Sequence, residues 1–145
     1  MLLWFGCLLA THAAEVKVAL LIGDSQSAAA IGAITELRLD AALSNVVVRV
    51  YPRIELTDSD PQFVRESDII VGFTRYGALL RALAPELGAA SKRGAWLAGV
   101  GTTTDQEYAD LGFKRDAELA AYLDAGGQAN LVQLVRAAVA RRHQP

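Results

Sequence analysis

Cysteine is almost missing from this chain: Cys7 is the single one in 145 residues, and histidine occurs only at His12 and His143. Positive charge is scarce as well, with 14 Lys and Arg against 16 Asp and Glu and a net charge of −2. With a pI near 5.6, the chain lacks the basic footprint that nucleic-acid binding usually needs. Its one tight cationic cluster, Arg141-Arg142-His143, closes a helical pattern, where it suits the C-terminal dipole. No Walker sequence is present, so ATP hydrolysis is not the chain's own. The glycine spacing is not that of a dinucleotide site, and no internal repeat or low-complexity stretch occurs.

What is present begins with an uncharged apolar run. Met1 to Ala14 reads MLLWFGCLLATHAA, too short to cross a bilayer as a mature helix but matching the apolar part and small-residue end of a secretory signal. We expect removal after Ala13 or Ala14, leaving residues 15–145 as one exported or periplasmic α/β domain with no stable membrane span. If the segment is retained, it becomes a first strand or buried helix of a cytoplasmic protein. Gly6 before Cys7 fits a lipid-attachment site, but Trp4 stands where leucine is normal. Cleavage would remove Cys7 and His12, and with them any disulfide, any zinc site of Cys and His ligands, and a cysteine nucleophile.

Beyond the leader, short apolar runs alternate with helical patterns. Val16–Ile22, Val46–Tyr51, Asp68–Phe73 and Ala95–Val100 read as strands, continuous rather than alternating in hydrophobicity. Between them lie helical stretches: 25–43 with Ile31, Ile34, Leu37 and Leu39 along it, 61–66 with Asp60 as cap, and 76–91 interrupted by Pro85. A short helix at 105–111 and two helices at 116–125 and 129–142 complete the series. Continuous apolar strands alternating with helices predict a parallel sheet covered on both faces. The fold class is therefore α/β: a small doubly wound, flavodoxin-like sheet of about four strands with a C-terminal helical hairpin appended.

In such sheets ligands bind outside the carboxyl ends of the strands. The loops there place Asp24, Ser25, Arg53, Arg75, Tyr76, Thr102 and Thr103 together as candidate ligand-binding residues, and the first loop can hold an anion against helix amides. Each of these residues is also an ordinary cap or turn former. Asp58, Asp60, Glu66 and Asp68 make an acidic run that lacks the alternation and glycine of a calcium loop, and we read it as a solvated edge. No metal site and no catalytic residue is assigned.

The most specific string is YLDAGGQANL, Tyr122 to Leu131. Gly126 suits a left-handed helix end, Gly127 a reversal, and Asn130 or Gln128 a cap for the next helix. The spacing of Tyr122, Leu123, Gly126, Gly127, Asn130, Leu131 and Leu134 also resembles a segment of the large subunits of cobaltochelatase (CobN) and magnesium chelatase. The upstream SDIIVGF, Ser67 to Phe73, followed by a helix and a strand ending in glycine, is similar as well. The resemblance covers most of the chain after the leader and implies a stand-alone counterpart of that family's N-terminal region. It implies a tetrapyrrole ligand or chelatase subunits as partners, in cobalamin or metal handling. No cofactor is expected to be bound by the chain itself, and on its own the domain is not expected to be an enzyme. Two other readings stay open: one component of a split cobaltochelatase completed by other chains, and a periplasmic binding module for a small anion.

Overall fold

The computed structural model describes residues 14–51, 56–73, 77–101 and 106–142; the apolar run of residues 1–14, expected to be a secretory signal, lies almost entirely outside the described residues. The four apolar runs form strands β1 (Val16–Leu21), β2 (Val46–Val50), β3 (Ile69–Gly72) and β4 (Trp96–Gly99). A fifth, β5 (Lys114–Arg115), joins them, and all five pair in parallel in the order β2-β1-β3-β4-β5. This is the flavodoxin-like order. The additional strand has two exposed, charged residues and no apolar run to mark it.

Helices cover both faces. On one face Val16, Val18, Leu20, Ile69 and Val71 meet α1 (Ser27–Leu39), α6 (Ala117–Ala125) and α7 (Gly127–Arg142). On the other, Ala19, Leu21, Ile70 and Leu97 meet α2 (Asp60–Glu66), α3 (Gly77–Ala82) and α4 (Ala84–Lys92), together with Tyr51, Phe63, Tyr108 and Phe113. The break between α3 and α4 falls where Pro85 requires it, with proline in the first turn of the second helix. Tyr108 belongs to the short α5 (Gln106–Asp110), which Gly112 ends at φ +90°.

Several local expectations are corrected. The C-terminal helices are not an appendage: Leu131, Leu134, Val135 and Ala138 of α7 are buried in the core against the sheet and α1. The N-cap position of α1 falls at Gln26, later than expected, because a 3-10 turn at Asp24–Gln26 intervenes. Ser59 rather than Asp60 is the N-cap of α2; the Asp60 carboxylate instead accepts the Thr57 N–H at 2.7 Å. Along α1, Ala30, Ala33 and Leu37 are buried, whereas Ile31 and Leu39 face outward. Close packing against α7 favours the small residues on the inner face. A Cβ at Gly32 would collide with the Gln128 side chain. Finally, Arg141 and Arg142 do more than favour a helix dipole: Arg141 pairs with Asp116 and Glu118, and Arg142 with Asp68 at 2.9 Å.

Candidate ligand-binding edge

The carboxyl ends of β1 and β3 lie side by side, and from them the chain departs in different directions: β1 through α1 to β2, β3 toward β4. This is the topological switch point, where the geometry of an open α/β sheet leaves a crevice. Ile22 and Gly23 carry β1 out of the sheet, Gly23 at φ +79°, and the 3-10 turn delivers the chain into α1. Ser25 is exposed in that turn. Gln26 makes no capping bond to α1, and its side-chain amide reaches the Leu123 carbonyl at 3.5 Å instead.

That contact brings in the glycine pair. Gly126 has φ +67° and ψ 179°, a conformation open essentially to glycine alone, and Gly127 has φ +79°. A Cβ at Gly126 would stand 3.6 Å from the Gln26 amide, so the α6–α7 turn lies against the β1–α1 turn. The N-termini of α1 and α7 thus arrive together beside the carboxyl edge of the sheet. Asn130 serves this turn as a donor and not as a cap: its Nδ2 binds the Gly126 carbonyl at 2.7 Å. Gln128 also caps nothing, its amide donating to Glu36 of α1 at 3.0 Å. Leu131 is buried and Tyr122 half-buried, both in the core on the α1 side. Tyr122, Gly126, Gly127, Asn130 and Leu131, the residues that carry the resemblance, therefore each have a structural task.

Of the candidate ligand-binding residues, the structure places Ser25 and the backbone of Asp24 at this edge. Arg53, Arg75, Tyr76, Thr102 and Thr103 lie outside the described residues. One edge residue was not singled out from sequence. Tyr51, directly after β2, buries its hydroxyl without a hydrogen-bond partner among the described residues. Burial, reinforced by the Asp60 charge, pushes that hydroxyl up to about 12, with Arg49 opposing. A tyrosine just before Pro52, at the end of a VVVRV strand, was the available signal.

At the opposite, amino ends two members of the acidic run, Glu66 and Asp68, are held by partners. Glu66 binds Lys17 at 2.6 Å, which keeps its carboxyl below the usual range. Asp68 accepts from the Lys17 N–H at 2.9 Å and pairs with Arg142. Burial pushes Asp68 up, but these bonds outweigh it and leave the group lowered. Among the described residues no group of three or more His, Cys, Asp or Glu is placed to hold a metal ion. Nor is any described helix long and apolar enough to cross a membrane.

Comparison with protein families, with curated proteins and with solved structures finds no match to this chain.

Proposed function

We propose that the protein is an exported accessory domain, similar to the N-terminal region of chelatase large subunits, that binds a tetrapyrrole at the carboxyl edge of its sheet. The observation carrying this reading is the meeting of the α1 and α7 N-termini at the β1/β3 switch point. Partial positive charge at helix N-termini suits the peripheral carboxylates of such a macrocycle. Arg53 and Arg75, which follow β2 and β3 in the chain, supply planar guanidinium forks for the same groups, and Tyr76 offers a ring face. The glycine string that carries the chelatase resemblance forms the turn beside this edge, so one region bears both arguments. Nothing in the reading requires the chain to catalyse metal insertion. The domain holds the macrocycle, or presents it to a chelatase partner.

The test is an absorbance titration of the purified protein with haem, cobalamin and a metal-free corrinoid. Binding of at least one is expected, weakened clearly by the double substitution Arg53→Ala/Arg75→Ala with the fold intact by circular dichroism. Failure of every macrocycle to bind sinks the proposal. Binding that is indifferent to both arginines moves the site off this edge.

A further inference from the structure

One strand over from the β1/β3 switch point, the carboxyl edge carries a second gathering of polar groups. Helix α3 begins at Gly77, past the loop that leaves β3, and α5 follows β4 in the same way. A Cβ at Gly77 would stand 2.6 Å from Tyr108 Oη of α5 and 3.0 Å from Arg81 Nη1 of α3. A phenol and a guanidinium from two elements therefore converge on one backbone position. Arg81 reaches it because a long helical side chain leans back toward the N-terminus, over the residue four positions earlier. Tyr108 is held there rigidly: its side chain is 7% exposed within the core of the α3–α4 face, and its carbonyl accepts the Phe113 N–H at 3.0 Å.

The backbone does not demand glycine at 77. Positive φ occurs at Gly23, Gly94, Gly112, Gly126 and Gly127, and Gly77 is not among them. What the missing Cβ supplies is room for the hydroxyl and the guanidinium to approach the main chain. The pair has the chemistry of a seat for a carboxylate. Arg81 is exposed and carries a planar fork of N–H donors, and the phenol sets an O–H donor beside it. Both side chains hold other contacts as well. A guanidinium has five N–H donors, so a carboxylate does not require the fork to be idle.

We infer that Arg81 and Tyr108 together bind one carboxylate of the ligand over Gly77, on the β4 side of the edge. This rests on the reading that an anionic macrocycle lies along the carboxyl edge, and it names two groups that receive it there. Neighbouring strands stand about 4.8 Å apart, so a macrocycle seated at the switch point reaches one strand further along the same edge.

Gly77→Ala makes the sharpest test, because it keeps both groups and only displaces them. The purified protein is titrated by absorbance with haem and with haem dimethyl ester, whose carboxylates are masked, and each variant is checked for its fold by circular dichroism. Arg81→Ala should weaken haem binding about tenfold, the loss of one charge-assisted contact. Arg81→Lys should recover only part of it, since an ammonium lacks the fork. Gly77→Ala and Tyr108→Phe should weaken haem in the same direction, while the ester binds wild type and variants alike. Haem binding that ignores Arg81→Ala and Gly77→Ala overturns the inference and leaves the macrocycle reading standing. Equal losses for haem and its ester overturn it too, because the variants then act on packing and not on a carboxylate. If neither macrocycle binds, that reading falls and sodium propionate tests the seat alone. The Gly77 amide resonance should then shift with propionate in the wild type and not in Arg81→Ala, which keeps the seat for a smaller carboxylate. No shift, or the same shift in both proteins, overturns it.

Discussion

The two ends of the strands are built from different materials. At the amino ends charges cross-link the elements: Lys17 with Glu66, Asp68 with Arg142, Asp40 with Arg136. There Arg93 also donates to the carbonyls of Arg65 and Ser67, holding the last turn of α2 to the chain that enters β3. At the carboxyl ends the described chain relies on backbone geometry: Gly23 leaving β1, the Gly126-Gly127 reversal, and an α1 terminus without a side-chain cap. Ion pairs hold one end together by side chains that substitution can remove one at a time. Glycine turns hold the other by conformations that most residues cannot enter. The lesson is a division of labour along the strand direction.

Breaking the carboxyl end should cost most. Gly126→Val forces a β-branched residue into φ +67°, ψ 179° and should destabilise by about 2–3 kcal/mol in urea unfolding. An unchanged unfolding midpoint would mean that the turn relaxes freely and that the contrast between the ends is overstated. At the amino end, Arg93→Ala removes three hydrogen bonds from a charged donor. Because Arg93 is exposed, the expected loss is smaller, about 1–2 kcal/mol by the same measurement. A larger loss than for Gly126→Val would invert the comparison.

Acid and alkali should separate the ends by pH. Asp68, Glu66 and Asp40 hold their protons less readily folded than unfolded. The stability they contribute is present above the ordinary carboxylate range, near pH ~4, and drains as pH falls through their lowered folded values. Tyr51 has the opposite sign: its folded value is raised to about 12. Its contribution is present below pH ~10, the ordinary tyrosine value, and is lost as pH rises toward the folded one. Asp68→Asn should therefore flatten the acid limb of the stability profile and leave the alkaline limb alone. Tyr51→Phe should do the reverse, and at neutral pH it should change stability by less than ~1 kcal/mol, since the buried hydroxyl that is removed has no hydrogen-bond partner among the described residues. If both variants flatten the same limb, the two ends do not titrate independently.

Much of this architecture was legible from residue patterns. Four apolar runs gave four strands, Pro85 gave the break between α3 and α4, and Gly126 gave the reversal between α6 and α7, because each acts locally. The fifth strand was not legible, since Lys114 and Arg115 become a strand only by lying beside Ala98 and Gly99. The outward turn of Ile31 and Leu39 was hidden for a similar reason: packing against α7, more than ninety residues later in the chain, selects Ala30 and Ala33 for the inner face. Tyr51 escaped notice because a tyrosine at a strand end is ordinary until the fold buries its hydroxyl. Of the candidate site, Ser25 and the Asp24 backbone reach the expected edge, and the approach of the α6–α7 turn to it could not have been read from spacing alone.

The packing of α1 on α7 also has a temporal side. The face bearing Phe63, Leu80, Leu87 and Phe113 draws its helices from one unbroken stretch, residues 51–113. The α1 face cannot close until α1 meets a helix that is made almost last. Contacts between such distant segments carry the larger loop-closure cost and form late. During synthesis the nascent chain would therefore carry one finished face and one open apolar face until α7 arrives, a window in which Val18, Leu20 and Val71 are exposed to capture by a chaperone. Pulse-labelled hydrogen exchange during refolding should show the Leu80–Ala90 amides protected before those of Leu131–Val139, and simultaneous protection would remove that window.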